Sequence, residues 1–415
     1  MQQTPVSIAV IGAGGRGRGF AEMIKRSFPH LARVVAVAEP RDEYRRDIAT
    51  TWQLPEERVF RDWRALVAQP KLADAVLIAT LDREHAAPAI ACLDKGCHLF
   101  LEKPMAVTLA DCEAIAAAAA RAKAITIVCH SLRYHKGKRV FADIVRSGRI
   151  GRIMTLDQIE QVAWWHQAHS FVRGNWGNSS TSTFMLMAKS CHDLDYIASL
   201  TDAECERVSS FGALTHFRPE QAPAGAAPRC VGCAIEPDCK YSAIRHYVDA
   251  NREHWPAAVC SHDHSREAHY RAIVDGPYGR CVWRCGNDVV DHQVVALEFS
   301  GGMTATFTMT AFTQHNSRMI RVNGTEGEAF FDGDITVRDF ASGNEERIRI
   351  APEQGGHGGG DERLMLDWLR ALHANDPGLV RTSVHESLRT HRIVFAAEKA
   401  RLERRVVELC ELTKR

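Results

Sequence analysis

A glycine-rich turn near the N-terminus constrains the fold of this chain more than any other feature. Residues 6–11 form a nearly continuous apolar run, typical of a buried strand in a parallel sheet. The run ends in Gly12-Ala-Gly14-Gly-Arg-Gly17, a G-x-G-x-x-G spacing that leads into a helical pattern. Such glycines permit a tight turn and let the backbone approach a pyrophosphate at the helix N-terminus. The turn therefore predicts a dinucleotide site whose contacts come from five residues: Gly12, Gly14, Gly15, Arg16 and Gly17.

The segments that follow alternate between short apolar runs and helical patterns. Apolar runs recur at residues 34–38, 75–79, 98–101 and 126–129, with a helix predicted between each pair. This alternation is typical of a doubly wound parallel sheet with helices on both faces. We therefore predict an α/β protein whose residues 1–130 form a Rossmann domain.

The second half of the chain has a different rhythm. Residues 216–280 are rich in Pro, Gly, Cys and His and read as a long insertion, and helices are predicted at 364–374 and 384–401. Strand-like runs joined by Gly-rich turns indicate an antiparallel sheet. They lie at residues 154–162, 280–283, 293–299, 303–309, 319–323, 328–331 and 335–339. Residues 131–415 are thus predicted to form an α+β domain with a large, mostly antiparallel open sheet.

Composition argues against several classes of binding partner and of cellular location. The 52 Lys and Arg residues nearly cancel the 51 Asp and Glu residues, so no general attraction to nucleic acid or to an anionic membrane is expected. No apolar run approaches the roughly 18 residues of a membrane span, and no secretory signal is visible. We therefore expect a cytoplasmic protein, whose 13 cysteines are reduced thiols or metal ligands.

An acidic residue ends the second predicted strand. Glu39 is placed to accept hydrogen bonds from the adenosine ribose hydroxyls and to repel a 2′-phosphate, which favours NAD over NADP. Three nearby arginines, Arg16, Arg18 and Arg41, weaken that preference.

Four later segments resemble motifs of the Gfo/Idh/MocA family (glucose–fructose oxidoreductase, inositol dehydrogenase, rhizopine catabolism). Ala79-Thr-Leu-Asp-Arg-Glu-His85 resembles the family's A-T-P-N-x-x-H stretch, and Glu102-Lys103-Pro104 matches its E-K-P motif. Ser131-Leu-Arg133-Tyr-His135 resembles its arginine segment, and Cys191-His192-Asp193-Leu194-Asp195 resembles its G-x-H-D-x-D segment. The resemblance spans essentially the whole chain.

The resemblance implies NAD(P)-dependent oxidation or reduction of a hydroxyl of a sugar, cyclitol or related polyol. It also implies that an open sheet of the second domain faces the nicotinamide and mediates a homodimer or homotetramer. Further cofactor contacts are implied at Thr80, Leu81, His85, Glu102, Lys103 and Arg133.

Physical chemistry supports the roles assigned to Lys103 and His192. An ammonium at the carboxyl end of a parallel strand can stabilise a developing alkoxide, and a histidine is a natural general base near neutral pH. The family usually has an Asp where this chain has Ala188, so Lys189 is predicted to be the third catalytic residue, filling part of the missing acid's place. Asp193 or Asp195 would then orient His192.

Two segments are predicted to face the substrate. The loop 164–176 mixes aromatic faces with hydrogen-bond donors, as sugar binding requires. Its candidate contacts are His169, Arg173, Asn175 and Trp176. His357 lies in the glycine-rich segment 355–360 and, with His192, completes the predicted substrate set; Asp361 is expected to cap the helix that follows.

The insertion carries a pattern typical of a metal site. Cys230, Cys233 and Cys239 are spaced as C-x2-C-x5-C, which suits tetrahedral zinc. Cys281 is the first choice for a fourth ligand, with Cys260 and Cys285 as alternatives. An iron–sulfur cluster and unliganded thiols are the competing interpretations.

Two other functions fit the same motifs. An NAD-dependent glycosidase would oxidise a sugar hydroxyl transiently, eliminate the aglycone and reduce the sugar again. A non-catalytic nucleotide sensor would explain Ala188 without any hydride transfer.

Overall fold

The computed structural model describes residues 4–71 and 73–412. The chain divides into two compact units, each made of separated stretches. Unit 1 comprises Met1–Ile153, Cys191–Glu204 and Asn323–Phe395, and unit 2 comprises Met154–Ser190, Cys205–Val322 and Ala396–Arg415. The predicted boundary at residue 130 stays a prediction.

Fifteen strands and twelve α-helices are defined in the described part of the chain. The strands are β1 (Val6–Ile11), β2 (Ala32–Ala38), β3 (Val59–Phe60), β4 (Ala75–Ile78), β5 (His98–Leu101), β6 (Thr126–Val128), β7 (Ile153–Ala163), β8 (Cys205–Ala213), β9 (His292–Phe299), β10 (Thr304–Thr313), β11 (Ser317–Gly324), β12 (Gly327–Phe331), β13 (Ile335–Asp339), β14 (Glu345–Ile348) and β15 (Val407–Glu408). The helices are Gly15–Ser27, Asp42–Trp52, Trp63–Ala68, Ala86–Asp94, Leu109–Ala122, Lys136–Arg146, Trp164–His166, Met185–Ala188, Cys191–Ser199, Arg266–Asp275, Gly360–Ala374 and Val384–Glu403.

The first sheet lies in unit 1 and confirms the predicted doubly wound parallel architecture. Its six strands are ordered β3-β2-β1-β4-β5-β6, and every neighbouring pair is parallel. Side chains alternate across a sheet, so each strand contributes to two apolar cores. In β1, Ile8 and Val10 join one core, whereas Ala9 and Ile11 join the other.

Helices from distant parts of the sequence cover the first of these cores. Gly15–Ser27 and Gly360–Ala374 both pack on this face. The ring of Phe100 in β5 lies edge-on to Phe20 at 4.8 Å and to Trp368 at 5.2 Å, joining both helices to the sheet. Edge-to-face aromatic pairs add about 0.5–1.5 kcal/mol each beyond the area they bury. The C-terminal part of the chain is therefore integral to this unit.

The strand order fixes where a ligand can bind. In such sheets the crevice lies outside the carboxyl ends of the strands, where the order reverses between β1 and β4. The residues at or just past those ends are Gly12, Glu39, Thr80, Glu102 and His130. Most of the predicted cofactor residues thus follow strands of one sheet at the same edge.

The second sheet contains mostly antiparallel strand pairs, as predicted. In unit 2 the strands are ordered β11-β7-β10-β9-β8-β15. The pairs β10–β9, β9–β8 and β8–β15 are antiparallel, and β10–β7 is parallel. In unit 1, β12, β13 and β14 form an antiparallel ladder.

The prediction of a strand at residues 280–283 is wrong, because this segment is not part of a sheet. Arg280 makes a single antiparallel bridge with Arg229, and the chain then turns, with the Arg284 N–H donating to Cys281 O at 2.9 Å. This segment belongs to the long connection between β8 and β9, residues 214–291, where short turns prevail around the helix Arg266–Asp275.

Candidate functional site

The glycine turn is fixed against the sheet and open on its outer side. A Cβ on Gly12, whose φ is +86°, would lie 2.7 Å from the backbone of Ala79, and a Cβ on Gly17 would lie 2.0 Å from Gly12 O. Gly14 and Gly15 are different: a Cβ on Gly14 would approach a flexible arginine side chain at 3.4 Å, and one on Gly15 would meet no described atom within 4 Å. Two glycines therefore permit packing, and the two between them leave space for a ligand.

The helix that follows this turn begins as an anion site requires. Gly14 is the N-cap of Gly15–Ser27, so no side chain caps the first N–H groups, and its first turn carries no acidic residue. Unpaired N–H groups and the helix dipole both attract a phosphate. The turn therefore fits the pyrophosphate of a dinucleotide.

Glu39 is buried and charged at the end of β2. Its carboxylate accepts the Ala13 N–H at 2.8 Å and the Arg41 guanidinium at 2.7 Å. Burial acts to raise the pKa of Glu39, but the hydrogen bonds from Arg41 and Ala13 outweigh it and the pKa is lowered. The Arg41 guanidinium also lies over the ring of Tyr44, 4.0 Å from its centroid.

Arg16 connects three distant parts of unit 1. Its Nε donates to Glu102 at 2.6 Å, and its Nη1 donates to Asp361 at 2.7 Å. Asp361 also accepts the Ser131 hydroxyl at 2.5 Å and an imidazole N–H of His357 at 2.9 Å. Burial acts to raise the pKa of Asp361, but His357 and Arg16 hold it well below its ordinary value.

Asp361 does not cap the helix as expected. The N-cap is Gly359, and Asp361 lies one residue inside Gly360–Ala374 with its carboxylate turned to Arg16. The charge that could stabilise a helix terminus instead fixes an arginine of the glycine turn.

The segment after β4 contributes three of the predicted cofactor residues. His85 lies 2.7 Å through Nδ1 from Pro104 O and 3.3 Å through Nε2 from Thr80 O. Because both neighbours are carbonyl acceptors, the shorter contact identifies Nδ1 as a donor. Leu81 is 56% exposed, unusual for a leucine next to a buried strand. The imidazole thus ties the turn after β4 to the turn after β5.

Lys103 and His192 lie around a third residue, His130. Glu102 accepts the Lys103 N–H at 2.9 Å. Burial lowers the pKa of His130, and the Lys103 ammonium acts in the same direction; burial raises the pKa of Cys191, which that ammonium opposes only in part. The ring of His192 is buried and lies edge-on to His130 at 5.7 Å. Unit 1 therefore brings the predicted general base His192 and the predicted alkoxide-stabilising Lys103 to one neighbourhood. The ring of His357, 6.0 Å from His192, belongs to the same neighbourhood.

His130 is a residue of the candidate site that sequence reasoning missed. It is fully buried, and neither ring nitrogen has a hydrogen-bond partner among the described residues. Its Nε2 lies 4.0 Å from Asp195, yet burial outweighs that carboxylate and lowers the pKa of His130. A neutral, unpaired imidazole beside His192 is the kind of group that a bound ligand can complete.

Asp195 is fixed by partners other than His192. It accepts the Arg133 guanidinium at 2.7 and 2.8 Å and the Thr390 hydroxyl at 3.0 Å. Arg133 is also held by Glu386 at 2.9 Å. Arg133, predicted as a cofactor contact, therefore belongs to an ion-pair network behind the histidines. An orienting role of Asp195 toward His192 stays a prediction.

In unit 2, Lys189 has a carboxylate partner that the sequence analysis overlooked. Its ammonium lies 2.9 Å from Glu160 in β7, and Arg318 lies 2.6 Å from the same carboxylate. Burial acts to raise the pKa of Glu160, but the two cations outweigh it and the pKa is lowered. Ala188 stands where the family usually has an aspartate, but Lys189 is paired with a different acid, Glu160. The catalytic role of Lys189 stays a prediction.

The predicted substrate loop divides between buried and exposed residues. His169 is buried beside the Tyr247 hydroxyl at 3.1 Å, and burial with the nearby Arg173 charge lowers the pKa of His169 to about 3. Arg173 is 1% exposed and donates to Tyr241 O at 2.7 Å. Asn175 is exposed and Trp176 half-buried. Their contacts with a substrate stay predictions.

The four predicted metal ligands, Cys230, Cys233, Cys239 and Cys281, line one small cavity in unit 2. Within residues 4–71 and 73–412, no three His, Cys, Asp or Glu side chains stand in a ready-made metal geometry. All 13 cysteines are free thiols. None of the described helices combines the length and the apolar character needed to cross a bilayer.

Comparison with known protein families covers most of the chain. The family described as "Oxidoreductase family, NAD-binding Rossmann fold" (GFO_IDH_MocA) matches residues 6–130. The "GFO/IDH/MocA C-terminal domain" matches residues 139–330.

Individual relatives are more distant. The protein YteT of Bacillus subtilis is 24% identical over 314 residues, covering 71% of each chain. An inositol 2-dehydrogenase of Burkholderia multivorans is 32% identical over 152 residues, which is 36% of this chain and 44% of that protein. This chain thus matches less than half the length of the inositol dehydrogenase.

A solved structure of levoglucosan dehydrogenase, in complex with NADH and L-sorbose, has the same fold. It superimposes with a TM-score of 0.71, covering 98% of this chain and 99% of that one, at 18% identity. At that identity the similarity shows the fold alone.

The Asp361 network predicts a pH-dependent stability. Because the pKa of Asp361 is lower in the folded protein than in the unfolded chain, its stabilisation is complete above the unfolded value of about 4 and is lost as the pH falls through the folded value. Asp361→Asn should lower the free energy of unfolding by about 1–3 kcal/mol at pH 7. The difference from wild type should shrink below about pH 4.

Urea unfolding monitored by circular dichroism at several pH values measures both effects. Glu362→Gln, in the same helical turn, is the matched control and should change little. A wild-type advantage over Asp361→Asn that stays constant from pH 7 to well below pH 4 would contradict the assignment.

Proposed function

The chain belongs to the Gfo/Idh/MocA family of NAD-binding oxidoreductases, and from that premise we propose that it transfers a hydride between NAD and a hydroxyl carbon of a sugar, cyclitol or sugar derivative. The observation that carries this proposal is the grouping in unit 1. An open glycine turn and Glu39 lie at the same sheet edge as Lys103, and His192 adjoins that group through His130.

The cofactor would be held by backbone and side chains together. The N–H groups of Gly14 and Gly15 would receive the pyrophosphate, and Glu39 would accept the ribose hydroxyls. The exposed side chain of Leu81 offers an apolar surface to a ring of the dinucleotide. Bound NAD supplies the hydride acceptor; the protein supplies position and proton transfer.

His192 and Lys103 are proposed to act on the same substrate hydroxyl. His192 would take the hydroxyl proton as general base, and the Lys103 ammonium would stabilise the negative charge on the substrate oxygen. Burial keeps both His130 and His391 neutral, lowering the pKa of His391 to about 3. The neutral imidazole of His130 therefore adds no positive charge that would oppose protonation of His192.

The substrate class is supported by the relatives and by the composition of the loop 164–176. One relative is an inositol 2-dehydrogenase, and a structure with the same fold holds L-sorbose. Polyols of this kind need flat apolar surfaces as well as hydrogen-bond partners, and the loop offers both. A cytoplasmic location is proposed with it.

Replacing either proposed catalytic residue should abolish most turnover without loss of cofactor binding. Lys103→Met and His192→Asn should each lower kcat about 10²- to 10⁴-fold, because each removes a group that acts on the reacting hydroxyl. The assay is the absorbance of NADH with a panel of inositols, aldoses and ketoses, alongside NAD titration by calorimetry.

The controls are Lys95→Met and His30→Asn, both exposed residues away from the sheet's carboxyl edge. Normal turnover by both catalytic-site variants on a substrate of the wild type would refute the assignment. NADH accumulating in proportion to product is the dehydrogenase result; sugar release from a glycoside with no net NADH would instead establish the glycosidase.

Glu39 should determine the choice between NAD and NADP. Glu39→Gln removes charged hydrogen-bond acceptors, so the affinity for NAD should fall about 10- to 100-fold. NADP should bind the variant no worse than it binds wild type, since a 2′-phosphate would meet no carboxylate. Calorimetric titration measures both ligands, with the exposed Asp42→Asn as control. Unchanged NAD affinity in Glu39→Gln would exclude Glu39 from the ribose site.

We also propose a homo-oligomer formed through the outer face of the unit 2 sheet. Cross-strand register aligns Phe211, Val294, Thr308 and Ile159 in one row. Phe211 is 73% exposed, Val294 42% and Ile159 37%, which is an apolar stripe of the sort that proteins cover by association.

Light scattering should show wild type at twice or four times the chain mass of 46.2 kDa. Val294→Lys combined with Ile159→Lys should give monomers, because two charges would be buried on association. Phe340→Lys, an exposed residue outside this row, is the control. A monomeric wild type would refute the proposal.

A further inference from the structure

The connection between β8 and β9 has little apolar core for its length. Its 78 residues (214–291) contain one α-helix, and the rest is short turns and irregular chain. Two small apolar clusters support it, and cysteines belong to both of them. Segments that bury so little apolar surface commonly need a covalent or metal cross-link to be stable.

The backbone brings the first and last of four cysteines together. The only ladder in this connection is the single bridge between Arg229 and Arg280, among the described residues. Cys230 and Cys281 are the next residues on its two sides, and the Cys281 N–H donates to Pro228 O at 2.9 Å. Two thiols 51 positions apart in sequence are thereby placed on adjacent segments.

The turn Cys230-Val-Gly-Cys233 brings in a second thiol from the same segment. The Cys233 N–H donates to Cys230 O at 3.1 Å, and Gly232 adopts a φ of +78° that a side chain would disfavour. Tight C-x2-C turns of this kind present two sulfurs to one ion.

All four thiols, including Cys239, line one cavity of about 20 Å³. A space of that size accommodates a single water-sized group. Cys260 and Cys285 are not among its lining residues. Of the three candidates for a fourth ligand, the structure therefore favours Cys281.

Two N–H groups are directed at these sulfurs. Arg173 Nη2 lies 3.4 Å from Cys230 Sγ, and the Ala227 N–H lies 3.4 Å from Cys233 Sγ. Donors of this kind stabilise thiolates, and partners that hydrogen-bond metal ligands are a regular part of metal sites.

Arg173 supplies an independent reason to expect negative charge here. Its side chain is 1% exposed, and it donates to main-chain carbonyls at Arg280 and Tyr241. Among the described residues, its guanidinium donates to carbonyls and to the Cys230 sulfur rather than to carboxylates, although Glu236 lines the same cavity. A buried cation without an anion is costly. Four thiolates on a divalent ion carry a net charge of 2−, which this guanidinium would partly neutralise.

We propose that Cys230, Cys233, Cys239 and Cys281 bind one structural zinc ion, with Arg173 as its charge-balancing neighbour. The thiols are not in ligand geometry in this structure, so binding turns their side chains toward the shared cavity. Each thiol releases its proton as it bonds to the metal. Zinc is favoured because it prefers four tetrahedral thiolates and undergoes no redox change.

Metal analysis of the full-length protein tests the proposal directly. Inductively coupled plasma mass spectrometry of protein purified without chelators should find one zinc per chain. Cys233→Ser and Cys239→Ser should lose it, whereas Cys260→Ser and Cys285→Ser should retain it. Cobalt substituted for zinc should give the visible bands of tetrahedral thiolate coordination.

Arg173→Gln separates the charge argument from the ligands themselves. This variant keeps all four thiols, and its zinc affinity, measured by competition with a chromophoric chelator, should fall about 10- to 100-fold. An unchanged affinity would remove Arg173 from the proposal.

Three results would overturn the site, and none depends on the oxidoreductase activity. They are wild-type protein with no stoichiometric zinc and four thiols open to Ellman's reagent, stoichiometric iron in place of zinc, or a disulfide among the four cysteines. Because wild type alone gives these results, a serine variant that fails to fold leaves the test intact.

Discussion

The glycine turn, the end of the parallel sheet and the segment before helix Gly360–Ala374 are held together by the buried carboxylate of Asp361. It receives Arg16 from the glycine turn, Ser131 from the end of the parallel sheet and His357 from the glycine-rich segment. Arg16 also donates a hydrogen bond to Glu102. Removing one partner from such a buried network leaves the others charged and unpaired, which is why the network has one stable arrangement. Residues more than 340 positions apart are thereby fixed at one end of the sheet.

The sequence was sufficient to predict the first sheet because several independent sequence signals indicate the same architecture. Apolar strands, intervening helices and the glycine turn all specify one parallel architecture, and the six-stranded order follows it. The surface against which helix Gly360–Ala374 packs could not be predicted. Helical periodicity shows that one face is apolar, but the partner of that face, here the aromatic ring of Phe100, is set by tertiary packing. The strand predicted at 280–283 failed for a related reason: its apolar residues pack against the insertion and need no sheet.

Motifs predicted the residues of the candidate site better than they predicted what those residues touch. Lys103 and His192, whose roles are proposals, were selected through short patterns, whereas His130 carries no pattern beyond following a strand. Glu160 did leave a signal in the sequence. Residues 156, 158, 160 and 162 of β7 face one side of the sheet, and two of these buried positions are polar. A polar residue where alternation demands an apolar one indicates a buried partner. For Glu160, that partner is a pair of cations.

Burial lowers the pKa values of His130 and His391, and the described ion pairs around them leave no unbalanced charge that would reverse this. Arg133 is matched by Asp195 and Glu386, so the cation behind His130 is balanced before any ligand binds. His391 receives the Met105 N–H at Nε2 and donates from Nδ1 to Ser387 O, which fixes its tautomer. His192, the proposed base, lies beside one such neutral imidazole, that of His130, with a balanced ion pair behind it. Such preorganisation is the main physical means by which enzymes lower the cost of moving charge in a buried site.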